Sequence, residues 1–378
     1  MKPRTVIIGG GFAGRQACKA LHGTDTDVWL IDPSPVTVMI PSLPDLAGGW
    51  IPERLIQRPL GELLPKTVTI VQKTVSLIDL DATRVVANGE TFLYDHLLIA
   101  AGSVSDFHGM GGPRDLMHPL ASLPDALRIQ DDFASYLRET DRSHVFVSGG
   151  GYTGLELAMS LFYRARASGK DCRVTVVDPA LQILPFLPDS KRQTLLDFLA
   201  NLDVEIRLGT TVEKFDGRNV VSNGKTDENV FFCWAAGSTF AVPEIKGAIA
   251  RLRDGRLKVR PDISLPNYPN VFAAGDAAAF ERRGQMLRKA VNFAFHGGRH
   301  AGRNIARQLH GKPTRPFRPV DLGYVIPLHV ASVGRLPGGL WVKGRLGVRL
   351  HYLMCGIRNY SIANFASCLK LAWKGKYT

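Results

Sequence analysis

The chain has 378 residues, 45% hydrophobic and 21% charged, with 47 lysines and arginines against 34 aspartates and glutamates; this is the composition of a globular protein long enough for two or three domains. No apolar run reaches 18 residues, which excludes a bilayer-spanning helix, and Met1-Lys2-Pro3-Arg4 leads straight into a core strand, so no signal peptide is expected. The cysteines, at 18, 172, 233, 355 and 368, are odd in number, scattered and without C-x-x-C spacing, which suits a reducing cytoplasm.

In chain order, the apolar run Thr5-Val6-Ile7-Ile8 predicts a strand that runs into Gly9-Gly10-Gly11-Phe12-Ala13-Gly14 and then a helix. The glycines of G-x-G-x-x-G permit the tight turn, and they let backbone N–H groups and a helix N-terminus approach a pyrophosphate. A second short strand, Val28-Trp29-Leu30-Ile31, ends in Asp32, 18 residues after Gly14, where a carboxylate accepts from an adenosine ribose diol. An irregular Pro/Gly-rich stretch (38–60) follows, then strands over 67–80 and 84–86, and the segment closes on Leu97-Leu98-Ile99-Ala100-Ala101-Gly102.

A connector over 111–140 carries a predicted helix at 123–137. The strand–turn–helix theme then returns: Val145-Phe146-Val147, the fingerprint Gly149-Gly150-Gly151-Tyr152-Thr153-Gly154, and Val174-Thr175-Val176-Val177 ending in Asp178, 24 residues after Gly154. One such fingerprint is a weak signal; two, each followed by a strand ending in aspartate, indicate two dinucleotides and electron transfer between them. Asp178 would repel a 2′-phosphate, which favours NADH over NADPH. This half closes on Phe231-Phe232-Cys233-Trp234-Ala235-Ala236-Gly237, and the chain returns to its first domain through Asn270-Val271-Phe272-Ala273-Ala274-Gly275-Asp276. No His/Cys/Asp cluster has ligand spacing, so no metal is expected.

The basic excess lies at the end. Residues 282–378 hold 18 lysines and arginines and one acid, Asp321, for a net +17, whereas residues 1–281 carry −4; such asymmetry points to a polyanionic partner. Within 361–374, Ile362, Phe365, Ala366, Leu369 and Trp373 fall on one helical face, with Asn364, Ser367, Lys370 and Lys374 away from it. Leu346, Leu350, Leu353 and Ile357 form a second stripe edged by Arg345, Arg349 and Arg358. Apolar stripes bordered by cations suit helices lying in an anionic membrane interface. An ordinary core-packing helix is the alternative. No nucleic-acid-binding motif is present, so nucleic acid is not expected as a partner.

These segments, in this order, resemble the two-dinucleotide-binding flavoprotein family, which includes disulfide reductases, ferredoxin reductases, sulfide:quinone oxidoreductases and type II NADH dehydrogenases. The resemblance implies an α/β fold of two Rossmann-like domains, one inserted in the other: an FAD-binding domain at 1–110 and 239–317, an NADH-binding domain with its connector at 111–238, and a membrane-docking region at 318–378. It assigns Gly9, Gly11, Gly14, Asp32, Ala101, Gly102, Gly275 and Asp276 to non-covalent FAD, and Gly149, Gly151, Gly154 and Asp178 to NADH. No cysteine stands in 37–50, where a disulfide reductase would carry its pair.

Gly151-Tyr152-Thr153-Gly154-Leu155-Glu156-Leu157-Ala158 and Trp234-Ala235-Ala236-Gly237 are similar to motifs of the type II NADH dehydrogenases, and Glu156 is carried over as the acid near the nicotinamide. Where that group has A-Q-x-A-x-Q-Q, this chain has Val291-Asn292-Phe293-Ala294-Phe295-His296-Gly297. Both terminal glutamines are absent, which leaves His296 and Asn292 as donors to a carbonyl acceptor. The expectation is an NADH:quinone oxidoreductase at the cytoplasmic face of a membrane. A sulfide:quinone oxidoreductase-like enzyme, a reductase of a small redox protein and a slow NADH oxidase with a signalling role stay open, as does a homodimer.

Overall fold

The computed structural model describes residues 2–240, 244–282, 284–358 and 362–374. The chain divides into two compact units, one of residues 1–38, 57–104 and 239–322, the other of 39–56, 105–238 and 323–378.

The first unit is built on a six-stranded sheet in the order Ser264–Leu265, Tyr268–Ala273, His96–Ile99, Arg4–Ile8, Asp27–Ile31 and Val68–Val71. All pairs are parallel except the outermost hairpin. Its central strands read as continuous apolar runs because helices and a second sheet cover their two faces. One face packs on Phe12–Ala20 and the long helix Val291–Leu309 through Ile7, Ala17, Leu30, Leu98 and Ile305. The other, through Val6, Ile8, Leu97 and Ile99, meets Ile78, Val85 and Phe92 of a four-stranded sheet. The predicted strand over 67–80 is thus two strands: Val68–Val71 ends the parallel sheet, and Val75–Asp79 pairs antiparallel with Arg84–Ala87. The long helix meets Phe12–Ala20 at van der Waals distance because Gly298 and Gly302 face the carbonyls of Ala13 and Ala17; a Cβ on Gly298 would collide with the first of these.

The second unit repeats the plan with a fully parallel five-stranded sheet in the order His118–Pro119, Phe231–Trp234, Arg142–Ser148, Asp171–Asp178 and Val204–Leu208. The connector helix runs Leu123–Glu139, two residues beyond the expected end, and starts at a capping box: the Asp125 N–H donates to Ser122 Oγ and the Ser122 N–H to the Asp125 carboxylate, worth about 1 kcal/mol. This unit also takes in two stretches placed elsewhere by the sequence. Residues 39–56, expected within the first domain, carry the short helix Leu43–Ala47. Residues from 323 on, expected as a separate appendage, form the antiparallel sheet Tyr324–Leu328, Ala331–Arg335 and Trp341–Lys343 and two helices, Gly344–Arg358 and Ile362–Lys374. Polar contacts explain the assignment: the Tyr352 hydroxyl donates to Asp45 at 2.7 Å, and the Asn364 amide donates to the carbonyl of Leu55 at 3.2 Å.

The last helix buries Asn364, Cys368 and Ala372 and leaves Leu369 and Trp373 outward, 44% and 75% exposed. Leu346 and Ile357 on the preceding helix are 57% and 64% exposed. Of the predicted stripes, Ser361, the side chains of Ile362, Arg358 and Lys374, and Lys376 nearby lie outside the described residues. No described helix is long and apolar enough to cross a membrane.

Candidate active site

In the first unit the strand Arg4–Ile8 delivers its chain into Gly9, whose φ of +101° only glycine adopts freely. A Cβ on Gly9 would run into the carbonyl of Ala100, and one on Gly14 into the carbonyl of Gly9, so both glycines are required for the strand, turn and helix to close on each other. Gly11 is different: it faces open space and stands at the N-cap of Phe12–Ala20 with no side-chain cap. The helix therefore presents its first N–H groups outward, the donor set that a pyrophosphate takes.

Asp32 is anchored beside this turn. Its carboxylate accepts from the Gly10 N–H at 2.6 Å and the Ser34 N–H at 2.7 Å, while burial raises its pKa above the usual carboxylate value, offset in part by these same N–H donors. Gly102, at φ +74°, and Ala101 follow the strand His96–Ile99. Asp276 lies in the turn Gly275–Ala277 and accepts from the Ser103 hydroxyl at 2.9 Å, and Gly275 packs on Ala13 and Ala294. In this cradle Gly9 lies against Ala100 and Ala101, and Gly275 against Ala13, so the fingerprint turn adjoins the end of the strand His96–Ile99 and the turn Gly275–Ala277.

Val291–Leu309 begins beside that turn. His296 is half-buried on it. Asn292 is 6% exposed, and its amide nitrogen donates to the carbonyl of Val320 at 2.5 Å. One of the two amide N–H bonds of Asn292 thus ties the 320 segment to the helix.

The second unit repeats the cradle closely. Gly149, at φ +112°, abuts the carbonyl of Ala235, Gly154 abuts that of Gly149, and Gly151 faces open space at the uncapped N-terminus of Tyr152–Ala167. Asp178 accepts from the Gly150 N–H at 2.7 Å and the Ala180 N–H at 2.8 Å. Both carboxylate oxygens are thereby oriented, leaving lone pairs for a diol.

Glu156 stands on the second turn of this helix and lines a small crevice with Pro41, Pro44, Asp45, Ser160, Pro327 and His329. Ser160 is one helical turn from Glu156, and its hydroxyl donates to the carbonyl of Pro44 at 2.6 Å. Asp45 and His329 were not expected here. They come from stretches more than 100 residues away on either side, and no local pattern marks them.

The thiols are shielded from solvent. All five cysteines are buried and none is in a disulfide. Burial pushes Cys18 up to about 12 and Cys172 up to about 11, and it raises Cys233 as well, so these carry no thiolate to attack sulfur at neutral pH. Among the described residues no group of His, Cys, Asp and Glu could hold a metal ion.

Comparison with known proteins gives a consistent result. Residues 3–296 match the pyridine nucleotide-disulphide oxidoreductase family. The chain is 30% identical over 390 residues to the type II NADH:quinone oxidoreductase Ndh of Mycobacterium tuberculosis, covering 92% of this chain and 83% of that one. It is 25% identical over 356 residues to the type II NADH:quinone oxidoreductase of Staphylococcus saprophyticus, covering 86% and 88%. In fold it is similar to NDH2 from Plasmodium falciparum in complex with NADH, with a TM-score of 0.86 at 15% identity over 100% of this chain and 99% of that one.

Proposed function

The chain belongs to the pyridine nucleotide-disulphide oxidoreductase family, and from that premise we propose that it is a type II NADH:quinone oxidoreductase, taking a hydride from NADH and passing the electron pair to a membrane quinone through FAD. The observation that carries this reading is the paired cradle. Each fingerprint ends in an uncapped helix N-terminus, and each has its acid locked to the middle glycine, Asp32 on Gly10 and Asp178 on Gly150.

The first cradle fits FAD: Gly9, Gly11 and Gly14 shape the pyrophosphate seat, Asp32 takes the ribose diol, and Asp276 with Gly275, Ala101 and Gly102 borders the ribityl side. When bound, FAD supplies the two-electron carrier. The protein's own share is orientation. Gly149, Gly151, Gly154 and Asp178 hold NADH by its adenosine end, and Glu156, on the same helix as Gly154, presents a carboxylate at the reactive end. His296 and Asn292 are the candidates to hydrogen-bond the acceptor, Asn292 with the N–H that does not bind the carbonyl of Val320.

The tail supports peripheral docking on an anionic membrane, on the cytoplasmic side where NADH is supplied. Its helices bury Val348, Tyr352, Asn364, Cys368 and Ala372 and leave Leu346, Ile357, Leu369 and Trp373 exposed beside the exposed cations Arg345, Arg349 and Lys370. The sulfide:quinone alternative is disfavoured by the burial of all five cysteines.

Anaerobic mixing tests the proposal. The purified protein should be yellow, NADH should bleach its absorbance, and a quinone should restore it. Restoration by oxygen alone, with no acceleration by quinone, would refute the oxidoreductase assignment.

A further inference from the structure

The two fingerprints share their glycines and differ in the side chain that follows the last of them. Gly9 to Gly14 match Gly149 to Gly154, and the next position is Arg15 in the first unit and Leu155 in the second. Leu155 is fully buried, as an apolar side chain on the inner face of a helix should be. Arg15 is buried too, only 3% exposed. Arginine is seldom enclosed to that degree.

The guanidinium is fixed at the first turn of its helix. Side chains on a helix lean back toward its N-terminus, and Arg15 does so: its Nε donates to the carbonyl of Gly11 at 3.2 Å, and its Cζ stands 5.1 Å from the centre of the Phe12 ring. Gly11 is the N-cap of Phe12–Ala20, and the place where its Cβ would stand is open space. The cation is thus held at the helix end that carries the proposed pyrophosphate seat.

A helix N-terminus is the positive pole of the peptide dipoles and favours anions, so a cation there works against it. The first turn holds no acid. Lys19 follows one turn further on, where partial burial and then the Arg15 charge lower its pKa. Dipole, uncapped N–H groups and basic side chains add to one positive field, and the burial of Arg15 limits the water that screens it. An anion seated at this N-terminus is attracted by every part of that field. The second cradle is built with the opposite sign. Arg15 and Gln16 give the first helix start +1, whereas Leu155 and Glu156 give the second −1.

Resting on the two-cofactor reading above, we infer that Arg15 binds the pyrophosphate of FAD and makes this cofactor resident, while the second cradle, with leucine in that place, lets NADH exchange. The contact is a charge-assisted hydrogen bond from the guanidinium to a phosphate oxygen. Arg15 is a binding residue and takes no part in moving electrons or protons. The glycine turn admits a dinucleotide in either unit, and the residue after its last glycine sets how long that dinucleotide stays.

The test follows the flavin-loaded protein as it loses FAD. After dilution, release is read from the rise in flavin fluorescence. Arg15→Leu copies the second fingerprint and should release FAD roughly ten-fold faster or more. Added salt should speed release from the unmodified protein, and this dependence should shrink in the variant. Phosphorus NMR of the bound cofactor gives a readout that a packing role would not move. In Arg15→Lys, which keeps the charge and loses the planar fork, a pyrophosphate resonance should shift, and release should fall between the other two rates. Release from Arg15→Leu within about two-fold of the unmodified protein, or unmoved phosphorus resonances in Arg15→Lys, would overturn the inference. Should Arg15→Leu fail to fold or to retain flavin, Arg15→Lys carries both measurements. If the unmodified protein holds no FAD, it is the functional proposal that fails.

Discussion

Replacing Asp178 by asparagine tests the second cradle most directly. In the folded chain both carboxylate oxygens are held, by the Gly150 N–H at 2.7 Å and the Ala180 N–H at 2.8 Å, so the charge cannot swing away from an incoming 2′-phosphate. A pair of unit charges about 4 Å apart at an effective dielectric of ~20 interacts by roughly 4 kcal/mol. Asp178 is half-buried, and water and salt screen it, so about half of that, ~2 kcal/mol, is a fair figure, or roughly a thirty-fold preference for NADH. Asp178→Asn removes the charge, and the ratio of flavin-reduction rates with NADH and NADPH should fall by at least ten-fold. It also turns an amide N–H₂ toward a backbone N–H, at a cost of about 1–3 kcal/mol, so the melting temperature should drop while FAD stays bound. Stopped-flow absorbance with each nucleotide gives the ratio. If the unmodified protein uses both equally, or if the variant keeps its preference, Asp178 does not read the ribose.

Gly14→Ala places a methyl group against the carbonyl of Gly9; overpacking of this kind costs about 1–3 kcal/mol or more, and the protein should purify with markedly less FAD, read from its absorbance after denaturation. Leu369→Ser with Trp373→Ala removes exposed apolar surface and should weaken flotation with anionic liposomes most at high salt, where the remaining attraction of Arg345, Arg349 and Lys370 is screened; unchanged flotation would make the face a bystander. Native protein should resist alkylation at pH 8 at Cys18 and Cys172, whose thiols burial holds at about 12 and about 11, with mass spectrometry reading the label. Burial depresses His144 from 6.5 to about 4. Its neutral form is the stable one, so this contribution is present above pH 6.5 and lost as pH falls from 6.5 to 4. The melting temperature should decline across that window, and His144→Gln should flatten the decline.

What was legible in the sequence follows from range. The two cradles are local: strand, glycine turn, helix and a second strand lie within 40 residues, and Gly14 and Gly154 are each dictated by a carbonyl inside that stretch, that of Gly9 and that of Gly149. Asp32 and Asp178 could therefore be named from spacing alone, and their anchoring to Gly10 and Gly150 only adds detail. The tail helices were legible as periodic patterns, but periodicity identifies a stripe without saying which way it faces. Here Leu346, Ile357, Leu369 and Trp373 turn outward while Leu350, Leu353 and Phe365 are half-buried, and Asn364 and Tyr352 find polar partners in 39–56. The crevice around Glu156 was not legible at all. It is assembled from residues 41–45, 156–160 and 327–329, and His329 occupies a turn position where pattern reasoning expects glycine. The contact of Asn292 was hidden for a similar reason: its partner is the carbonyl of Val320, and a backbone atom leaves no mark in a side-chain alphabet.

The hydrogen bonds from the tail to 39–56 change what a shortened chain would mean. Cutting before Arg345 does not subtract an accessory part. It strips the Tyr352 hydroxyl from Asp45 and the Asn364 amide from the carbonyls of Arg54 and Leu55, leaving acceptors whose partners were folded into the tail. A truncated protein that loses activity would therefore report damage to the segment beneath, whatever the tail does at a surface. Side chains that point outward, Leu346, Ile357, Leu369 and Trp373, make none of these bonds. Exchanging them one at a time varies attachment while the architecture stays constant, which is the cleaner dissection that this fold permits.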